Sequence, residues 1–155
     1  MTLAAVEPGD VLDLAGYRVR ALAADHEVPT VLYDVTGPDG GRLLYATDSG
    51  PLPVATVEAA RGADYDLVLL EQTFGDLRDH ATSHLDLGTF PDQLARLRAV
   101  GAITETTDVV AVHLSHHNPP IAELDRRLAE HGARTVPDGS TVIAGPGGAV
   151  LLRGA

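Results

Sequence analysis

The chain has 155 residues, with 22 acidic side chains against 11 basic ones, all arginine, for a formal net charge of −11; so acidic a surface argues against nucleic acid as a partner, because that binding needs cations that displace counterions. It contains no cysteine, which excludes disulfides, thiolate catalysis and cysteine-ligated zinc and leaves His, Asp and Glu as the candidate metal ligands. A content of 45% hydrophobic and 4% aromatic residues, with no run of membrane-span length and no basic, apolar leader in residues 1–10, predicts one cytoplasmic globular domain over residues 1–155, its core built from Val, Leu, Ile and Ala.

The first third alternates like an antiparallel meander. Val11–Leu14, residues 17–24, Val31–Thr36 and residues 42–47 are rich in β-branched and aliphatic side chains, and Gly37-Pro38-Asp39-Gly40-Gly41 is a hairpin loop between the last two. The texture then changes. Val54, Val57 and Ala60 share a helical face that ends at Gly62, and residues 66–70 form a short apolar run suited to a buried parallel strand. Thr89 before Pro91 and Asp92 reads as an N-cap, with Leu94, Leu97 and Val100 as the apolar stripe of the helix behind it. Asp108–Val112 is the next buried strand. Asn118 is expected to cap a helix with Pro119 at its first position, Ile121, Leu124 and Leu128 facing inward and Gly132 closing it. Residues 134–136, 141–144 and 149–152 read as small strands joined by Pro-Asp-Gly and Gly-Pro-Gly-Gly turns.

A meander followed by βα units predicts an α/β (α+β) mixed sheet with helices on one face. About four helices against a sheet of about seven strands leave the other face without a partner in this chain, and an uncovered apolar face implies association.

Three acid or imidazole side chains stand just past predicted strands: His26, Asp48 and His113. Strand ends of an open α/β sheet share one crevice, where ligands and metals bind, and imidazole and carboxylate are the groups that hold catalytic divalent metals. Taken singly, His26 also reads as a surface loop histidine and Asp48 as a turn opener. The densest signal is Val112-His113-Leu114-Ser115-His116-His117-Asn118, with three histidines in five residues between a buried strand and a helix; His113 stands at the strand end, whereas His116 and His117 lead into the cap. His80 and His84 are four apart and would share a face if that segment were helical. Ser115 with a histidine is a further nucleophile reading, but the chain has no Gly-x-Ser-x-Gly elbow.

The spacing and local sequence of Asp25-His26-Glu27-Val28-Pro29, Leu44-Tyr45-Ala46-Thr47-Asp48-Ser49-Gly50, Leu69-Leu70-Glu71-Gln72-Thr73-Phe74, Ser83-His84-Leu85 and Val112-His113-Leu114-Ser115 resemble the C-terminal half of the metallo-β-lactamase superfamily. The nearest branch is that of the phosphodiesterases, with phosphoribosyl cyclic phosphodiesterase and tRNase Z, and the likeness covers residues 11–142. It implies half of an αββα sandwich and two divalent metal ions, zinc or manganese. It also implies that His26 and His113 each ligate one ion and that Asp48 bridges them. His84 would correspond to the phosphate-facing histidine, the acid for the leaving alkoxide, with Glu71 as an orienting carboxylate nearby and His80 as the rival for the acid. The implied reaction is phosphodiester hydrolysis of a small phosphoester by a metal-activated water.

The chain departs from the family in one respect. The His-x-His-x-Asp-His motif, which supplies ligands from the N-terminal half, has no counterpart in this sequence. With one histidine per ion plus Asp48, the chain alone is expected to bind metal weakly, since catalytic zinc takes about three protein ligands. Its expected partner is a complementary N-terminal half or a second copy of itself. The alternative function is a non-catalytic binding or self-association module that keeps the fold without a working binuclear site.

Overall fold

The computed structural model describes residues 5–152. Its main sheet has seven strands in the order β1 to β7: β1 Val11–Leu14, β2 Tyr17–Ala23, β3 Val31–Thr36, β4 Arg42–Ala46, β5 Leu67–Glu71, β6 Asp108–Val112 and β7 Ala133–Arg134. The first four pair antiparallel in sequence order, with the loop of residues 24–30 between β2 and β3, and β4 to β7 run parallel. Helices α1 Val54–Ala59, α2 Thr89–Ala99 and α3 Ile121–Ala129 supply the crossovers, one fewer than expected. A separate hairpin, β8 Thr141–Gly145 and β9 Gly148–Leu152, docks at the start of β4 and β5, where Asp66 Oδ1 accepts from the N–H groups of Gly147 (2.9 Å) and Gly148 (3.2 Å).

Register divides the side chains between two faces. Asp34, Leu44, Val68 and Val109 lie in one row across β3 to β6, with Ala46, Leu70 and Ala111 in a second row on the same face. All but Asp34 belong to one buried cluster with Val57 of α1, Phe90, Leu94 and Leu97 of α2, and Leu124 and Leu128 of α3. Helices therefore cover this face, as the layer rule requires. On the opposite face Ala21, Tyr33, Tyr45, Leu69 and Val110 form a row that the cluster does not include, and Tyr45 is 42% exposed.

Local chemistry shifted several expected boundaries. Thr89 is already helical; the cap is the Asp86 side chain, whose Oδ1 accepts from the N–H groups of Gly88 (2.6 Å) and Thr89 (2.8 Å) while Thr89 Oγ1 accepts from the N–H of Asp86 (2.9 Å). Asn118 caps nothing. Both Asn118 and Pro119 precede a proline, which disfavours helical backbone, so α3 starts only after Pro120 and has no side-chain cap. This leaves Ile121 56% exposed rather than inward, and Val54, at the start of α1, is likewise 72% exposed. Strand β5 ends one residue later than expected, at Glu71, and β7 is a two-residue strand beginning at Ala133.

Candidate metal centre

Strands β2, β4, β5 and β6 all point the same way, because two antiparallel steps restore the direction of β2 in β4. Their carboxyl ends meet at one edge of the sheet, and the residues there are His26, Asp48, Glu71 and His113. Asp48 and His113 both adopt left-handed backbone, with φ of 54° and 55°. Such conformations cost about 1–3 kcal/mol each and collect at functional sites. They turn the two side chains toward each other, with His113 Nε2 3.2 Å from Asp48 Oδ1.

His84 arrives from the loop between β5 and α2, which is irregular rather than helical. The loop is laced to the end of β5 by Phe74 N–H to Leu85 O (3.0 Å) and Leu87 N–H to Gly75 O (2.8 Å). Two glycines permit the approach. A Cβ on Gly50 would overlap the Thr82 carbonyl, and one on Gly75 would overlap His117 O. His84 thereby stands between the other two histidines, its ring centroid 5.1 Å from that of His26 and 5.4 Å from that of His113.

Behind this group lies Glu71, fully buried. Its Oε1 accepts from the N–H of Ser49 (2.6 Å) and its Oε2 from the N–H of Leu85 (3.0 Å) and the hydroxyl of Thr73 (2.6 Å), while His84 Nδ1 sits 3.0 and 3.1 Å from the two oxygens. Four donors satisfy the carboxylate, which matters because a buried charge without partners is costly. Donation from Nδ1–H of His84 leaves its Nε2 free.

His26, Asp48 and His84 can bring one donor atom each within 4.8 Å of one another, and so can Glu71, His84 and His113. The second set is an orienting set, since the lone pairs of Glu71 are already engaged. Three imidazoles and one carboxylate, without thiolate, fit zinc or manganese by donor type. The three side chains expected at strand ends thus reach one rim, joined by His84. His80 does not share a face with His84: its Nδ1 lies 2.6 Å from Ala81 O and its Nε2 3.2 Å from Asp86 Oδ2, so both nitrogens are engaged. Its ring instead stacks on Phe74 (4.3 Å), which also meets His117 (5.7 Å); His117 in turn packs on His116 (4.0 Å). Asn118 ties the same loop down by donating to Gln72 O (2.8 Å) and Thr73 O (3.2 Å). Thr73 belongs to no ligand motif; its place two residues after Glu71, on the same side of an extended segment, is the pattern that marks it.

No protein-family model and no curated protein matches the chain. Solved structures do. A metallo-β-lactamase fold protein from Bacillus subtilis, YhfI, superposes on 96% of this chain and 55% of its own with a TM-score of 0.66 at 17% identity. The fold is half of a metallo-β-lactamase sandwich. An isothiocyanate hydrolase from Delia radicum gut bacteria matches 93% of the chain and 60% of its own length (TM-score 0.68, 14% identity), and human tRNase Z, short form, matches 87% and 46% (TM-score 0.56, 18% identity). The chain therefore spans about half the length of the metallo-β-lactamase structures it matches. Two neighbours whose names state different substrates share this half-sandwich, so the fold does not choose a reaction. No helix among the described residues is long and apolar enough to cross a membrane.

Proposed function

We propose that this chain is the C-terminal half of a metal-dependent hydrolase that cleaves a small phosphoester, and that it works with a separate half bearing His-x-His-x-Asp-His. The observation that carries the reading is the convergence of His26, Asp48, His84 and His113 on one rim, braced by the buried Glu71. In this reading His26 and His113 would each hold one of two ions, zinc or manganese, with Asp48 as a ligand common to both. When bound, the ions acidify a water and neutralise the reacting phosphoryl oxygens. The water oxygen forms the new bond to phosphorus as the ester P–O bond breaks, and His84 gives its Nε2 proton to the departing alkoxide. Glu71 holds the other ring nitrogen and fixes the orientation of the imidazole. His84 takes this role rather than His80, both of whose nitrogens are engaged. A cytoplasmic setting belongs to the same proposal.

The row of Ala21, Tyr33, Tyr45, Leu69 and Val110 is open only in its middle, where Tyr45 is 42% exposed and Tyr33 and Leu69 are half-buried while Ala21 and Val110 are buried, and this open middle supports a second half. It lies on the face opposite the helices, where a second sheet would complete the sandwich. Mixing the chain with a separately produced half that carries the motif, in zinc or manganese, is expected to yield hydrolysis of bis(p-nitrophenyl) phosphate; no gain over either half alone would count against the reading. The exposed Tyr45 on that face also favours a second reading, a non-catalytic module that pairs with its own copy. That reading predicts a dimer by light scattering that persists in chelator, and a monomer would remove it.

A further inference from the structure

We infer that Thr73 is a positioning residue that passes the charge of Glu71 on to His113, so that one buried carboxylate sets the ring tautomers of two histidines in the site. Thr73 Oγ1 lies 2.6 Å from Glu71 Oε2 and 2.9 Å from His113 Nδ1. A threonine hydroxyl has one proton to give. If it went to the imidazole, two oxygen lone pairs would face each other at 2.6 Å inside the protein. The carboxylate, being acceptor only and the closer partner, therefore takes the proton, as a charge-assisted hydrogen bond. The His113 carbonyl, at 3.2 Å, is a longer alternative acceptor and would leave the same clash with Glu71; with its proton on Glu71, Oγ1 can only accept from the ring, which requires a proton on His113 Nδ1. Nε2 of His113, on the other side of the ring, stands 3.2 Å from the acceptor Asp48 Oδ1, so what Thr73 fixes is the proton at Nδ1, whichever state Nε2 takes.

The threonine is itself held in place. Its carbonyl accepts from the Ser115 hydroxyl and from Asn118 Nδ2, so the loop that carries His113 and the end of β5 are latched together at this residue. His84 receives direct contact from Glu71 and His113 receives it through Thr73, so the two imidazoles that flank the rim answer to the same group. Orienting partners of this kind are worth about 10- to 100-fold in metal affinity.

The metal arm of this inference rests on the proposed reading of the site, and the tautomer arm does not. The test uses the whole chain labelled with 15N-histidine, with Thr73→Val, which keeps the shape and removes the hydroxyl, and Thr73→Ser, which restores it. Long-range 1H–15N spectra of the metal-free chain are expected to show His113 protonated at Nδ1 in the wild type and in Thr73→Ser, and shifted toward Nε2–H in Thr73→Val. Zinc added to the same samples is expected to bind Thr73→Val about 10- to 100-fold more weakly than the other two. An unchanged His113 tautomer in a folded Thr73→Val chain, or a Thr73→Ser chain that behaves like the valine variant, would overturn the inference. Should the valine variant not fold, the inference stands or falls on Nδ1 protonation of His113 in the wild type and in Thr73→Ser. Zinc that leaves the histidine signals of the wild type untouched, while the tautomers follow the expected pattern, would refute the metal reading and leave the coupling intact.

Discussion

Two buried carboxylates near opposite ends of this sheet are used in opposite ways. Asp34, on β3, is 3% exposed and is clasped by Arg20 Nη2 at 2.6 Å and by Arg42 Nε and Nη2 at 3.0 and 2.8 Å. The two guanidiniums spend further donors on the carbonyls of Ala59 and Ala63, so the cluster ties the sheet to the end of α1 and the segment after it and leaves little free to act. The arrangement holds the Arg42 guanidinium more basic than usual, first through its hydrogen bond to Asp34. Glu71 receives no arginine. Its donors are two backbone N–H groups, a hydroxyl and an imidazole, each of which belongs to a residue at or beside the rim. A carboxylate closed by permanent cations is a clamp; one satisfied without arginine directs its charge to groups whose other side still faces the site.

The largest way to sharpen this contrast is kinetic. In the complemented enzyme, His84→Ala is expected to lower kcat by about 10²- to 10⁴-fold, the usual contribution of a positioned acid. Glu71→Gln is expected to lose about 10- to 100-fold. Asp34→Asn should leave kcat of the folded protein unchanged, and a kinetic loss equal to that of Glu71→Gln would break the comparison. Next comes stability. Removing one member of a buried pair strands the others, so Asp34→Ala is expected to cost about 2–4 kcal/mol in urea unfolding, reduced from the fully buried case because the arginines are partly solvated. Glu71→Gln, which keeps the shape but turns an amide NH₂ toward a buried donor, is expected to cost about 1–3 kcal/mol.

The smallest effect concerns a third carboxylate, Asp86, which serves neither purpose and caps α2. Burial works to raise its pKa, but the N–H groups of Thr89 and Gly88, with His80 and Arg78, outweigh burial and hold the carboxyl below its ordinary value. A depressed folded-state pKa gives stability that is fully present above the unfolded value and is lost as pH falls through the folded one. Asp86→Asn keeps an oxygen for the cap and removes the charge, so it should cost about 0.3–1 kcal/mol near pH 7. That deficit should shrink below about pH 4, where the unfolded carboxyl of the parent chain also protonates. Urea curves at both pH values measure it; a deficit that does not narrow in acid would show that the charge of Asp86 is not what holds the cap.

Much of the site was legible because strand periodicity places residues reliably at strand ends. His26, Asp48 and His113 follow β2, β4 and β6 closely, and the order of meander then βα units makes those strands point one way. Caps and helix starts were less legible. Asp86 displaced Thr89 as the cap because side-chain hydrogen bonding across three residues competes on fine geometry, and the double proline delayed α3 by steric exclusion at Asn118 and Pro119. The exposure of Ile121 and Val54 follows from where those first turns landed.

Composition and pattern alone determined that any metal held here must be held by imidazole and carboxylate, that the sheet is a meander continued by parallel strands, and that one edge collects His26, Asp48 and His113. These follow from local propensity and strand direction, which neighbouring residues encode. Only the tertiary structure decided that Glu71 is satisfied jointly by Ser49, Thr73, His84 and Leu85, that Thr73 joins it to His113, and that His80 is turned away toward Asp86. Those outcomes depend on hydrogen bonds of a few tenths of an ångström tolerance between segments brought together by burial. Such directional contacts are set by the packed fold rather than by any stretch of chain within it.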